Sequence, residues 1–168
     1  NNFEYDAAVA KKNRAEDITR VLYPNDMQRA GKVLRLKQQY FFVSASIQDI
    51  VDKYKRYFAD DMRFKNFHKY HVIQLNDTHP NIAIPELIRV LVDENNLEFE
   101  EALAIAKEVF AFTNHTVLQE ALEKWPIDIV EEVSPRCLEI IYKINDILVK
   151  QFKDKGLSET EIDPYRIV

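Results

Sequence analysis

The hydrophobic and polar positions divide the 168-residue chain into long helical stretches and two short apolar runs. Leu36, Tyr40, Val43, Ile47, Ile50 and Tyr54 step by four and three, which predicts a core-facing helix over 34–58. Ser44, Ala45 and Ser46 are small enough to let a neighbour approach that helix closely. Leu138, Ile141, Ile144, Leu148 and Phe152 repeat the pattern later, behind a Ser134-Pro135 start signal and ahead of a Gly156 stop. Residues 84–93 and 99–108 read as shorter helices, with Pro85 in the first turn of one. Pro126 starts another short helix, 117–124 reads as helical, and Ser158 to Glu161 has a capping-box pattern for a last helix that Pro164 stops. Two short apolar runs, 72–75 and 109–112, read as strands, the first of them buried. Strand, helix, helix, strand is the order of a parallel α/β unit.

The opening helix, 5–19, breaks the pattern. Its middle, AKKNRAED, has almost no apolar face, so it projects into solvent or meets a partner. A surface loop follows over 23–31, with turn chemistry at Pro24-Asn25-Asp26. Residues 59–70 are charged and aromatic without a period and read as a connection.

Polar residues interrupt the apolar pattern most sharply just after each predicted strand. Asn76-Asp77-Thr78-His79 follows the first, and Thr113-Asn114-His115-Thr116 the second. In open α/β sheets, ligands sit beyond the carboxyl ends of the strands. If the strands are parallel neighbours, Asp77, His79, Asn114, His115 and Thr116 converge on one rim. Carboxylate, imidazole, amide and hydroxyl suit a polyhydroxylated ligand, above all a sugar. The plainer alternatives are that Asp77 or Thr78 caps the next helix, and that His115 is a satisfied polar group.

Composition narrows the classes. The net charge of −5, from 23 basic and 28 acidic residues, gives no electrostatic ground for binding nucleic acid or an anionic membrane. A single cysteine, Cys137, allows no disulfide within the chain and suggests a reducing compartment. Two Asn-X-Thr sequons, at Asn76 and Asn114, read as coincidences of spacing. No apolar run approaches a membrane span. Gly31 and Gly156 are the only glycines, so a Rossmann dinucleotide loop or P-loop cannot be built from this sequence. The start, Asn1-Asn2-Phe3, reads as cut rather than as a native terminus. A metal site could be assembled in principle from His68, His71, His79, His115, Asp77 and Cys137, but no metal-ligand spacing motif supports it.

The stretches RVLYPND, GKVLRLKQQYFFVSASIQDI, IQLNDTHPNIAIPELIRVLVD, FTNHTVLQEALEKWP and SPRCLEIIYKIN closely resemble glycogen, starch and maltodextrin phosphorylases, in order and as far as about residue 152. The resemblance implies a helix-rich α/β piece of a Rossmann-like N-terminal lobe, with a short parallel sheet, from a two-lobed glycosyltransferase-type fold. The whole chain, 1–168, is then a partial lobe: a tower-like helix over 5–19, a gate-like loop over 23–31 and an α/β body over 34–168. The family cleaves α-1,4-glucans with inorganic phosphate, giving glucose 1-phosphate with retained configuration. Its cofactor is pyridoxal phosphate, bound by a C-terminal lobe absent from this sequence, so no cofactor is expected here and the isolated chain is expected to be inactive.

Carried over residue by residue, the resemblance makes His115 the catalytic histidine that bonds the glucosyl 6-hydroxyl, its carbonyl near the anomeric carbon. Asn114 and Thr116 support it. Asp77 and His79 line neighbouring sugar subsites, and Asp26 lies on the loop that gates the phosphate site, with Arg35 and Lys37 just beyond. The partners implied are glucan, phosphate and a second subunit met through the 5–19 helix, in the cytoplasm. Departures also matter. Met27-Gln28-Arg29 lacks the phenylalanine that stacks purine-like inhibitors in muscle-type enzymes. Asp52 and Lys53 replace the paired arginines that hold AMP, so AMP activation is not expected. Gln119 stands for a common proline and Cys137 for a common histidine. The rival reading is a non-catalytic helical dimerisation or interaction module.

Overall fold

The computed structural model describes residues 2–118 and 122–168. Its elements run α1 (Asn2–Arg20), α2 (Arg29–Tyr57), α3 (Phe67–Tyr70), β1 (Ile73–Asn76), α4 (Ala83–Arg89), α5 (Phe99–Val109), β2 (Phe110–Thr113), α6 (Ile127–Val133), α7 (Pro135–Asp154) and α8 (Glu159–Ile162). The strands pair in parallel, Ile73 opposite Phe110 and Asn76 opposite Thr113. The helix-rich α/β class read from the sequence is therefore what the chain adopts.

The main core gathers Ile47, Val51 and Tyr54 of α2, Phe67 of α3, Leu75 of β1, Leu87 and Ile88 of α4, Ala102 and Ala106 of α5, and Ile140 of α7. A second cluster, Val33, Leu36, Ile129, Val130 and Leu138, ties the start of α2 to α6 and α7. The two helical stripes predicted from spacing face these cores. Leu36, Ile47, Tyr54 and Leu138 are buried, whereas Tyr40, Val43, Ile50 and Ile141 are half-buried.

A buried carboxylate joins three of the helices. Glu86 is fully enclosed. It accepts bonds from Arg89 Nε and Nη2 at 2.8 Å each, from Ser44 Oγ at 2.7 Å, from Tyr40 Oη at 3.1 Å and from Cys137 Sγ at 3.5 Å. Burial pushes the Glu86 carboxyl up, but Arg89, Ser44 and Tyr40 outweigh it and hold it below the usual carboxylate range. Burial raises the Cys137 thiol to about 12, so it remains a neutral donor. Of the three small residues on α2, only Ser44 meets a neighbour; Ala45 and Ser46 face solvent.

The connection before β1 is more ordered than its composition suggests. Asp61 accepts the Tyr54 hydroxyl at 2.7 Å and the backbone N–H of Asn66 and Lys65 at 2.8 and 3.0 Å. Tyr54 stacks on Phe64, and Phe67 stacks on His71. These contacts fold 59–70 into turns and the short helix α3. At the other end, Gly156 has φ +84°, donates to Lys153 and is followed by a Leu157 N–H to Phe152 bond, the Schellman ending that a left-handed glycine permits. Ser158 and Glu161 form the expected capping box.

Four expectations change. The β1 run is not a buried strand: Leu75 is enclosed, but Val72 is 76% exposed and Gln74 and Asn76 are open, because edge-to-edge pairing with β2 leaves their face of the strand uncovered. Val117, Leu118 and 122–124 are not helical, and Gln119 falls outside the described residues. The loop after α1 ends at Gln28; Arg29 already belongs to α2, where it pairs with Asp128 and Glu132 of α6. Ser134 starts α7 without a side-chain cap bond. It is buried there, where its backbone N–H bonds Val130 and its carbonyl accepts Leu138.

Replacing Glu86 by Gln strips the charge from Arg89's buried partner and should lower unfolding free energy by about 3–5 kcal/mol, read by urea titration. The wild-type contribution is complete above about pH 4.3 and is lost as pH falls through the lowered value of the folded carboxyl. The Glu86→Gln stability curve should therefore be flatter on the acid side.

Candidate functional site

The two polar interruptions meet. Beyond the last strand pair, Asp77 N–H donates to the Thr113 carbonyl at 2.8 Å, so the ladder continues one step into the turns. Asp77 then adopts φ +60°, a left-handed conformation that a short polar side chain tolerates better than most. That twist turns its carboxylate across to the neighbouring turn, where Oδ1 accepts the His115 backbone N–H at 2.8 Å and lies 3.5 Å from His115 Nδ1. Asp77 caps no helix: α4 starts without a side-chain cap, and Asp77's bond goes across the sheet instead.

The His115 N–H is the largest influence on the Asp77 carboxyl and, with the nearby His115 and His79 rings, keeps it below the usual range, against a smaller opposing effect of burial. Asn114 and Thr116 build the turn from within. The Asn114 amide donates to the Thr116 carbonyl at 3.0 Å and accepts the Thr116 N–H at 3.2 Å, and Thr116 Oγ1 accepts Leu118 N–H at 3.3 Å. Asp77, Thr78, His79, Asn114, His115 and Thr116 then line a shallow open pocket of about 210 Å³. The His115 side chain is 57% exposed. Among the described residues, the lining offers a carboxylate, two imidazoles and backbone groups to whatever enters, and no lysine amine.

Asp26 sits apart from that pocket, on the 21–28 loop, and pairs with Arg35 Nη1 at 3.1 Å. The loop lies tightly over the start of α2: a Cβ on Gly31 would fall 1.7 Å from the Asn25 carbonyl oxygen. Gln38 Nε2 holds its base by donating to the Val21 carbonyl at 2.6 Å. A second pocket, of about 250 Å³, separates loop from rim, with Leu22 and Tyr23 on one side and His79 and Pro80 on the other. Lys37 faces elsewhere, 3.8 Å from Glu132.

The family model described as carbohydrate phosphorylase matches residues 1–168. The chain belongs to the carbohydrate phosphorylase family. It is 53% identical over 162 residues to a glycogen phosphorylase of Saccharomyces cerevisiae, a match that covers 96% of this chain and 18% of that protein. It is 51% identical over 155 residues to glycogen phosphorylase 2 of Dictyostelium discoideum, covering 92% of this chain and 15% of the relative. A glycogen phosphorylase of Synechocystis is 50% identical over 152 residues, 90% of this chain and 18% of that one. The chain therefore spans less than a fifth of the length of these relatives and corresponds to part of a phosphorylase.

Among the described residues of this phosphorylase segment, no three His, Cys, Asp or Glu side chains come together as a metal site. His71 is stacked on Phe67 and Cys137 is buried against Glu86. Sequence reading missed Glu123. Its carboxylate lies 2.9 Å from Arg35 Nη2 and accepts Thr78 Oγ1 at 3.2 Å and Gln39 Nε2 at 3.1 Å. Nothing in LEKWP distinguishes that glutamate from a solvated one; only the fold brings three distant donors to it. Glu86 had a faint signal, a carboxylate inside the apolar run IAIPELIRVLV with an arginine three residues on.

Substitutions at two positions test this geometry. Asp77→Ala removes the acceptor and should speed amide exchange at His115, whereas Asp77→Asn should keep the bond. In the wild type, an NMR titration of the Asp77 carboxyl should show a midpoint below ~3.9. The His115 restraint is then present above that reference value and lost as pH falls through the lower folded one. Gly31→Ala has no room beneath Asn25, so it should shift the backbone resonances of Asn25 and Asp26 more than those of Asp77.

Proposed function

We propose that this segment supplies glucose-facing residues to an α-1,4-glucan phosphorylase, which transfers a glucosyl unit from glucan to inorganic phosphate and releases glucose 1-phosphate. The observation that carries this reading is the Asp77–His115 contact: two polar turns from separate strands, held side by side around an open pocket of hydrogen-bonding groups. Sugar recognition needs many directed polar contacts on a rigid frame. Here the frame is the parallel strand pair, and the Asn114 amide fixes the turn that carries His115.

In this reading His115 bonds the glucosyl 6-hydroxyl through its imidazole, and its backbone carbonyl faces the anomeric carbon. A carbonyl dipole there favours the positive charge that develops as the glycosidic bond breaks. The Asp77 carboxylate orients His115 by its backbone N–H. Asp77 and His79 face the adjoining sugar subsites, Asn114 and Thr116 hold the turn, and Asp26 lies on the loop bordering the phosphate site. Pyridoxal phosphate, when bound, supplies acid–base chemistry through its phosphate group. In this reading it is bound by another part of the parent protein.

The α1 helix supports a further element of the reading, a homodimer contact. Of its described side chains only Ala10 and Ile18 are even half-buried, and Tyr5 is 72% exposed. Such a helix is stabilised by a partner or by local ion pairs such as Lys12–Glu16 and Arg20–Asp17. No helix among the described residues is long and apolar enough to cross a membrane. Under this proposal the protein works in the cytoplasm, a reducing compartment in which a buried thiol such as Cys137 stays free.

The test is made in a phosphorylase carrying this sequence as its matching segment. His115→Ala should lower turnover by about 10²-fold in a glucose 1-phosphate release assay, and Asp77→Ala should also lower it. Val9→Asp should weaken self-association in sedimentation while leaving each subunit folded. Normal turnover in His115→Ala would remove the catalytic reading and favour an interaction module. The 168-residue chain alone should release no glucose 1-phosphate.

A further inference from the structure

Arg35 presents two edges of one planar guanidinium to two carboxylates from distant parts of the chain. Nη1 is 3.1 Å from Asp26 on the 21–28 loop, and Nη2 is 2.9 Å from Glu123. Glu123 in turn uses both oxygens. Oε1 takes Arg35 and Gln39, and Oε2 takes Thr78 Oγ1 at 3.2 Å and Gln39 at 3.3 Å. The Glu123 side chain is 14% exposed and that of Arg35 24%, so water competes weakly for either. Thr78 stands between Asp77 and His79 in the rim pocket.

We propose that Glu123 is a positioning residue that couples the 21–28 loop to the Asp77–His79 rim through Arg35. A guanidinium is flat and its donors are fixed relative to one another. If Asp26 moves with the loop, Arg35 must turn or lose it. Turning draws on the bond to Glu123 Oε1, and that carboxylate cannot rotate without disturbing Oε2 and Thr78. Displacement at the loop is thus delivered to the rim by one chain of charge-assisted bonds. The pocket of Tyr23, Arg35, Gln39 and His79 lies between the two ends, so a shift at either side also changes its width. The functional meaning rests on the glucan phosphorylase reading: phosphate-side loop and sugar-side rim adjust together, and Glu123 is the residue that links them without touching substrate.

The decisive variant is Glu123→Gln, which keeps side-chain volume and one acceptor oxygen while removing the charge that holds Arg35. The host is the Saccharomyces cerevisiae glycogen phosphorylase with this chain in place of its matching segment. Asp26→Asn and Thr78→Val are made singly and together, first with Glu123 intact and then alongside Glu123→Gln. The KM values for inorganic phosphate and for a maltooligosaccharide are read separately. With Glu123 present, Thr78→Val should alter the phosphate KM, and the double variant should depart from the product of the singles by about fivefold or more. With Glu123→Gln, the singles should combine within about twofold. Equal departures in both backgrounds, or none in either, overturn the proposal.

The 168-residue chain gives a readout that does not depend on activity. Thr78→Val should move the backbone amide resonances of Asp26 and Met27, and should leave them in place when Glu123→Gln is also present. Movement that persists with Glu123→Gln, or no movement in its absence, overturns the coupling by itself. An insensitive His115→Ala enzyme with intact cross-shifts would instead remove the glucan reading and leave the coupling standing.

Discussion

Glu86 is a negative charge with no route to water, and the body of the fold is arranged around satisfying it. An enclosed carboxylate is tolerable only when its oxygens are fully bonded and its charge is opposed. Here Ser44 and Tyr40 come from α2, Arg89 from α4 itself and Cys137 from α7. Apolar contacts between the same helices could slide by a turn at modest loss. A carboxylate that takes donors from α2 and α7 fixes their register against α4, since a slip would leave it only Arg89 and strip away the Ser44, Tyr40 and Cys137 bonds. Arg89 extends the restraint by reaching Glu94 at 2.9 Å, where the helix loosens into a π turn over Val90–Glu94.

That register is what positions the rim. α4 begins seven residues after β1 ends, so locking α4 against α2 and α7 leaves the intervening Asp77–Ile82 turn little freedom. β2 follows α5 without a break and lies beside β1 in parallel, which brings the second turn alongside the first. The two turns then restrain one another through Asp77 and His115. The order of dependence runs from a buried charge, to helix register, to strand register, to a pair of turns. The rim can be polar and open because its rigidity comes from beneath.

The loop after α1 follows a different rule. It buries little, and it is held by a close backbone approach at Gly31 and by polar bonds from Arg35 and Gln38. Contacts of that kind hold a segment in place yet can be exchanged, because each partner can be solvated when released. Arg29 is already in α2 and bridges Asp128 and Glu132, and Cys137 is a weak donor to Glu86.

The sequence by itself determined the helices of α2, α5 and α7, the parallel order of the strands, the Gly156 and Ser158 caps, and the polar character of the two turns. Each depends on spacing or on a residue's own backbone preference, so a linear pattern can carry it. The motif strings also determined the family. Only the tertiary structure decided that Asp77 turns across to His115 instead of capping α4, that Leu75 alone of its strand is enclosed, and that Glu86 and Glu123 are the carboxylates on which other segments converge. A charge written in a sequence is the same letter whether it ends in water or against an arginine brought from elsewhere in the chain. Its role depends on which donors the packed helices place within reach, and that is a property of the assembled fold.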